Sequence, residues 1–255
     1  MRVKCFLAAT LVAVLSWVLF AGVAGTTPTQ EEFDEIVDRE MFKYMHGWDY
    51  RDAVNYWKKR GVTDEMFGKA YVKIARRTVN EPVGYDHKCS KAIDGIAEFC
   101  TGEMLLTNLV YLADKCLVDE VRADAIRVLS TKVTVEKFTT FAERVVASTN
   151  LGVRAGSKLM SCLSEVYPRA KKLDPALQQR ILQVVRRHLE VGGKGALIAD
   201  RVLVNYDEQY RNSDFRKRVA RMMLDPLRSP LNGNKCVDRY RVEKEYIDVL
   251  KGASK

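Results

Sequence analysis

Histidine, proline and recognisable catalytic motifs are all scarce in this chain of 255 residues. It contains no His-Glu-x-x-His, no Gly-x-Ser-x-Gly and no Walker A motif, so no familiar pattern supports an enzyme. The three histidines are His46, His87 and His188. His87 and Cys89 are two residues apart, but a zinc site needs about four protein ligands and no others are evident. We therefore predict no catalytic, cofactor-binding or metal-binding residues, and a protein that is not an enzyme.

Low-complexity tracts are also absent, and the six prolines and fifteen glycines leave long stretches uninterrupted. Apolar residues make up 47% of the chain and charged residues 29%, so it can bury a core and is not a disordered segment. Helix-favouring Ala, Leu, Arg, Lys and Glu are abundant among these residues. This composition favours helices over a sandwich of short strands.

The first 25 residues have the order of a secretory signal. Arg2 and Lys4 precede an apolar run from residue 5 to residue 24, which ends in small residues suited to cleavage. The run is long enough for an uncleaved signal anchor, which is the rival interpretation. No second apolar run of adequate length follows. We predict export to a periplasmic or extracellular location, or anchoring in a membrane if residues 1–25 are retained.

A helical hairpin at residues 102–130 is the clearest periodic feature. Its second helix, which begins near Asp119, has apolar residues at helical spacing, and these predict one buried face: Val121, Ala125, Val128 and Leu129. Arg122 and Asp124 are predicted to point away from that face. A connection of only about five residues requires the two helices to fold back on each other.

Similar apolar stripes predict further helices at 31–45, 49–59, 63–79, 87–100, 135–149, 151–167, 175–190, 194–206, 213–225 and 238–251. Four polar residues are predicted to cap the helices that follow them: Thr63, Thr134, Asp174 and Ser213. Aromatic residues near Trp57 and Phe67 are assigned to core rather than to a ligand platform. About four to five helical hairpins result, which is enough to bury a continuous face.

The segment Asp-Glu-Val-Arg at 119–122, followed by Ala and Leu, resembles the second helix of a HEAT-type helical repeat. Its Val-Arg-Ala tripeptide at 121–123 recurs at 153–155, at an offset of 32 residues. The resemblance implies an all-α, right-handed stack of antiparallel helical hairpins, and a non-repetitive helical bundle is the alternative. We predict one such domain over 26–255, with 26–80 as an N-terminal helical cap.

Helical stacks of this kind generally present extended surfaces to other proteins. The resemblance thus implies an exported, noncatalytic scaffold that binds a protein or another acidic partner. Two alternatives stay open: an enzyme without a recognisable motif, and a membrane-tethered accessory protein of the cell envelope.

Positive charge is concentrated in one part of the chain. The net charge is +9, and residues 169–228 contain fourteen Lys and Arg against seven Asp and Glu. The predicted acidic-partner surface comprises Arg186, Arg187, Arg216, Lys217, Arg218 and Arg221; an ordinary solvated basic surface is the alternative. The expected partner is a protein or an anionic envelope component. Export disfavours nucleic acid, and a membrane enters only if residues 1–25 are retained.

Five cysteines follow the signal segment: Cys89, Cys100, Cys116, Cys162 and Cys236. If the helix that begins at 87 packs antiparallel to the helix that ends at 115, Cys89 and Cys116 share an end. Cys100 would lie about 16 Å from Cys89 at 1.5 Å per residue, too far to bridge. We predict a disulfide between Cys89 and Cys116; five reduced core thiols are the alternative.

Overall fold

The computed structural model describes residues 27–41, 48–79, 86–147, 151–192, 195–227, 229, 231 and 238–252. Throughout these residues the regular secondary structure is helical and includes no strand, which confirms the all-α prediction. None of the helices in these ranges is long and apolar enough to cross a membrane. The predicted signal or anchor segment, residues 1–25, lies outside the described residues, and so do His46 and Cys236.

The chain divides into two compact units, residues 1–70 and 71–255. In the first, helix α1 spans Gln30–Ile36 and continues as a π-helical turn at Val37–Met41, and α2 spans Trp48–Lys59. Thr29 and Glu32 form a capping box at the start of α1. The core of this unit includes Phe33, whose ring packs edge-on against Trp57 and Phe67 at centroid distances of 5.7 and 4.8 Å. All three rings are buried, as expected for core aromatics.

Helix α3 spans Asp64–Thr78. The helices of the second unit are α4 (Asp86–Phe99), α5 (Gly102–Lys115), α6 (Asp119–Lys132), α7 (Val135–Ala147), α8 (Val153–Leu173), α9 (Pro175–Glu190), α10 (Ala196–Tyr206), α11 (Glu208–Arg211), α12 (Asp214–Leu224) and α13 (Arg239–Leu250). Nearly all of them match a predicted segment within a few residues. All four predicted N-caps are confirmed, since Thr63, Thr134, Asp174 and Ser213 each accept a hydrogen bond from a first-turn backbone N–H.

Packing in the second unit follows two rules. Helices adjacent in the chain pack in the pairs α5/α6, α8/α9, α9/α10 and α12/α13. Helices two apart also pack, in the pairs α4/α6, α6/α8, α8/α10 and α7/α9. The even-numbered helices α4 to α10 therefore form one continuous row, and α7 and α9 lie side by side in another.

Three expectations are wrong in detail. The predicted end of helix α8 is Tyr167, but the helix runs through Pro168 to Leu173. The proline removes one backbone hydrogen bond, but the helix continues because its apolar stripe extends to the buried Ala170. The short α11 was not predicted. Arg122 does not point to solvent: it is buried, and its Nε donates to the Ala113 carbonyl at 2.8 Å.

The predicted apolar face of α6 is confirmed, because all four of its apolar residues are buried. Helix α6 packs on α4, α5 and α8 at once, so it is enclosed on several sides. This explains Arg122: a helix with several neighbours buries more than one stripe, and a long polar side chain is then retained only with a hydrogen-bond partner.

Candidate functional site

The outer face of the row formed by α4, α6 and α8 carries polar contacts between neighbouring helices. Ser90 on α4 donates a hydrogen bond to Asp124 on α6 at 2.9 Å. Arg154 on α8 pairs with Glu120 on α6 at 3.0 Å. The two side chains are 68% and 49% exposed, so the pair adds little stability but sets a charge pattern on the surface.

A groove of about 490 Å³ crosses this face where α6, α8 and α10 meet. It is lined by Glu120, Ala123, Asp124, Arg154, Ser157, Lys158, Ser161 and Ile198. The lining combines small residues with charges of both signs. Such a lining suits a polar partner segment rather than an apolar small molecule.

The Asp119 carboxylate joins α6 to the start of α8. Its oxygens accept the first-turn backbone N–H groups of Arg154 at 2.6 Å and Ala155 at 3.2 Å. Helix α8 begins after Gly152, which has no capping side chain. A Cβ on Gly152 would lie 2.2 Å from an Asp119 oxygen, so only glycine leaves room for this cap. Helix α6 thus supplies the N-cap of α8.

The second row has its own ion pair. Arg180 on α9 donates two hydrogen bonds of 2.8 Å to the Glu143 carboxylate on α7 and one of 3.0 Å to Thr140. The Arg180 guanidinium holds the pKa of Glu143 below its usual range, and Glu143 in turn raises the pKa of Arg180. This planar fork is the stronger type of surface ion pair.

The structure separates the six residues of the predicted acidic-partner surface. Arg216 is only 5% exposed and donates to the Arg211 carbonyl at 3.2 Å, so it lies inside the fold rather than on the surface. Arg186 is ion-paired with Asp207, and Lys217 contacts Asp214 at 3.4 Å.

The other three residues of the set, Arg187, Arg218 and Arg221, are exposed. The turn that follows α9 lies against α12, since a Cβ on Gly192 would be 3.6 Å from Met222 Sδ. The end of α9 therefore lies near α12, the helix that carries Arg218 and Arg221.

A buried polar cluster links the last helices. Asp200 on α10 is almost fully buried and accepts hydrogen bonds from the hydroxyls of Tyr210 at 2.5 Å and Tyr246 at 3.1 Å. Burial raises the pKa of Asp200, which the tyrosine hydroxyls and the nearby Arg216 partly offset. Burial and the Asp200 carboxylate raise the pKa of both tyrosines. The cluster is buried, and no sequence motif predicts it, because Tyr246 lies 46 positions from Asp200.

Four cysteines lie within the described residues, and all are buried. Cys89 and Cys116 are neighbours, since the Cys89 thiol is a hydrogen-bond partner of the Cys116 sulfur. Cys100 and Cys162 lie elsewhere, and burial raises the pKa of each thiol, that of Cys100 to about 11. The predicted pairing thus falls on the two cysteines that meet, and the disulfide itself stays a prediction.

No cluster of three or more His, Cys, Asp or Glu that could hold a metal ion occurs within the described ranges. His188 is buried within α9. The side chain of His87 lies outside what the structure describes.

Comparison with known proteins adds no relative: no family model, no curated protein and no solved structure matches the chain.

Proposed function

We propose that this protein is an exported, noncatalytic scaffold of stacked helical hairpins that binds an acidic protein partner. The observation that carries the proposal is a recurring spacing. Five side-chain contacts between helices join residues 32 to 39 positions apart: Arg76–Asn108, Ser90–Asp124, Glu120–Arg154, Glu143–Arg180 and Tyr167–Tyr206. Offsets of this size are expected when each hairpin of about 35 residues lies on the previous one.

The packing of helices two apart supports the same interpretation. In a stack of hairpins, equivalent helices of successive hairpins are neighbours, and the pairs α4/α6, α6/α8 and α8/α10 fit this rule. A right-handed stack of the HEAT type is the form that we propose. Its rows of exposed side chains offer a long polar surface rather than a closed reaction chamber.

The binding surface that we propose comprises Arg187, Arg218 and Arg221, termed the basic surface below. These arginines are exposed. Arg218 lies over the Phe215 ring at 5.4 Å, which holds its guanidinium in place. Arginine in this setting binds carboxylates through paired N–H donors, so an acidic protein surface is the partner that fits.

Charge reversal tests the proposal. The tagged full-length chain is expressed in its own cells, and partners are captured at low and at high salt and identified by mass spectrometry. We expect a stoichiometric protein partner whose capture falls at least tenfold in the triple variant Arg187→Glu, Arg218→Glu, Arg221→Glu. Like charges facing the acidic partner would then repel it.

The matched control reverses three other exposed cations, Lys132, Lys137 and Arg144, which are outside the basic surface. This variant has the same net charge, so it should retain the partner. Equal loss in both variants would indicate nonspecific charge attraction, and capture of no partner by the wild type would contradict the scaffold proposal.

Export has a separate test. N-terminal sequencing of the mature protein should show a chain that begins at about residue 25 or 26, as expected after signal cleavage. A mature chain that retains Met1 and fractionates with membranes would favour the tethered form of the protein.

A further inference from the structure

Helix α13 carries apolar side chains outside its buried stripe. The helix packs against α12, and its buried stripe comprises three residues that are each at most 4% exposed: Val242, Tyr246 and Val249. Outside this stripe, Tyr240 is 80%, Ile247 41% and Leu250 37% exposed. These three are among eight large apolar residues that are exposed in the described ranges, although α13 has only twelve residues. Such a concentration on one helix indicates an interaction surface.

The exposed residues of α13 form a second stripe. Tyr240, Lys244 and Ile247 are separated by four and three residues, which places them on one face of the helix. Lys244 is exposed, and Asp248 follows it by four residues and is half-buried. The stripe thus combines an aromatic ring and a branched aliphatic side chain with one positive and one negative charge.

The charges of α13 are balanced, in contrast to those of the whole chain. Residues 238–251 contain four Lys and Arg and four Asp and Glu, whereas the net charge of the chain is +9. Arg239 and Glu243 pair with each other at 2.5 Å. Lys244 and Asp248 have no ionic partner within the part of the chain that the structure describes. One charge of each sign on this face is therefore available to another molecule.

The two available charges are placed so that the face complements itself. Lys244 and Asp248 lie two residues before and two residues after residue 246. If two copies of α13 pack antiparallel about a two-fold axis beside residue 246, Lys244 of each copy lies opposite Asp248 of the other. Ile247 lies one residue from that axis and meets the same residue of the second copy. A two-fold contact requires self-complementarity of this kind.

We propose that this face of α13 binds a second copy of the chain in an antiparallel, two-fold dimer. The face, termed the α13 face below, comprises Tyr240, Lys244, Ile247, Asp248 and Leu250. A membrane surface or an acidic partner favours a helix face that is rich in Lys and Arg, and the balanced charge of α13 does not fit either of them. This proposal is independent of the acidic partner proposed for the basic surface.

The size of the α13 face limits the strength of the dimer. A helix of twelve residues is about 18 Å long at 1.5 Å per residue. One face of such a helix is smaller than the roughly 800 Å² per partner that stable interfaces bury. We therefore expect a dissociation constant of about 10 to 100 μM, so that the dimer forms only at high protein concentration.

Sedimentation equilibrium of the purified protein, as processed by its own cells, tests the proposal. Between about 1 μM and about 500 μM the mean mass should rise from that of one chain towards that of two. Ile247→Glu should weaken the association at least tenfold, because it places two like charges beside the two-fold axis. Leu173→Glu is the matched control. Leu173 is 69% exposed at the end of α8, so this variant gains the same charge and should dimerise as the wild type does.

A charge exchange tests the antiparallel register. Lys244→Asp and Asp248→Lys each place like charges opposite each other and should each weaken the dimer at least fivefold. The double variant Lys244→Asp, Asp248→Lys restores opposite charges and should regain the wild-type affinity within about threefold. Failure of the double variant to regain affinity would overturn this arrangement. A wild type that is monomeric at every concentration would overturn the proposal, whether or not it binds vesicles of anionic phospholipid.

Discussion

The same Val-Arg-Ala tripeptide places its arginine in two different environments. Arg122 is the fourth residue of α6 and is only 8% exposed, whereas Arg154 is the second residue of α8 and its side chain is 68% exposed. The preceding valines differ in the same way, with Val121 1% and Val153 51% exposed. A shift of two residues relative to the helix start rotates the motif to another face. The tripeptide match therefore does not mark equivalent positions.

This difference gives a matched pair of substitutions. Arg122→Ala should lower the free energy of unfolding by about 2 kcal/mol, because a buried guanidinium and its bond to the Ala113 carbonyl are lost. Arg154→Ala should cost less than about 1 kcal/mol, because its ion pair is exposed. Urea unfolding of the two variants measures both values. Equal losses would mean that the burial of Arg122 is not energetically important.

The Cys116 thiol gives a pH dependence in the reduced protein. Its pKa is lowered from 9.0 to about 7 in the folded chain, chiefly by the hydrogen bond from Cys89. Because the pKa is lower in the folded chain than in the unfolded chain, the thiolate stabilises the folded state fully at a pH above the unfolded pKa. This stabilisation is lost as the pH falls through the folded pKa. The free energy of unfolding should thus rise between about pH 7 and pH 9 in the wild type.

Cys116→Ser should lack that rise, whereas Cys162→Ser should keep it. The measurement is thermal or urea unfolding at several pH values with a phosphine reductant present. A rise of the same size in Cys116→Ser would assign the effect to another group.

At the scale of elements, local signals predicted most of the helices. Apolar spacing and the four N-caps placed helix starts within a few residues, because each of these caps precedes the helix that it serves. The cap of α8 was missed for the opposite reason: Asp119 reaches it from another helix, 35 positions away. The short α11 was missed because four residues carry no periodic signal.

The cap between helices can be tested directly. Asp119→Ala should lower the free energy of unfolding by about 1 kcal/mol, since two first-turn N–H groups of α8 lose their acceptor. Asp114→Ala is the control. The Asp114 carboxylate forms an ion pair with its exposed neighbour Lys115, so this substitution should change stability by less than about 0.5 kcal/mol. Urea unfolding measures the free energy of unfolding of both variants. Equal values would show that water hydrogen-bonds the freed N–H groups as well as Asp119 does.

At the scale of the whole molecule, the sequence predicted the class of fold but only part of the candidate site. Charge counting identified a basic region, yet it could not separate the exposed Arg218 from the buried Arg216 two residues earlier, because both lie in a helix with charged neighbours. Helix lengths and antiparallel order were enough to predict that Cys89 and Cys116 lie at the same end of two helices. In the structure the Cys89 thiol is a hydrogen-bond partner of the Cys116 sulfur.

Stacked hairpins and a non-repetitive bundle differ in how far a local loss of stability extends to other helices. In a stack each hairpin contacts only its neighbours, so a local loss of stability stays local. Tyr246→Phe removes a hydroxyl that donates to buried Asp200 and should cost about 1 to 2 kcal/mol. Tyr240→Phe is the control in the same helix, because Tyr240 is 80% exposed.

Hydrogen exchange followed by mass spectrometry measures the spread. For Tyr246→Phe we expect faster exchange in α10 to α13 and unchanged exchange in α4 to α6, because the row of helices transmits the loss only through successive interfaces. Faster exchange of similar size in every helix would indicate one cooperative core and favour the bundle. Tyr240→Phe should match the wild type throughout, so any difference between the two variants comes from the Asp200 cluster alone.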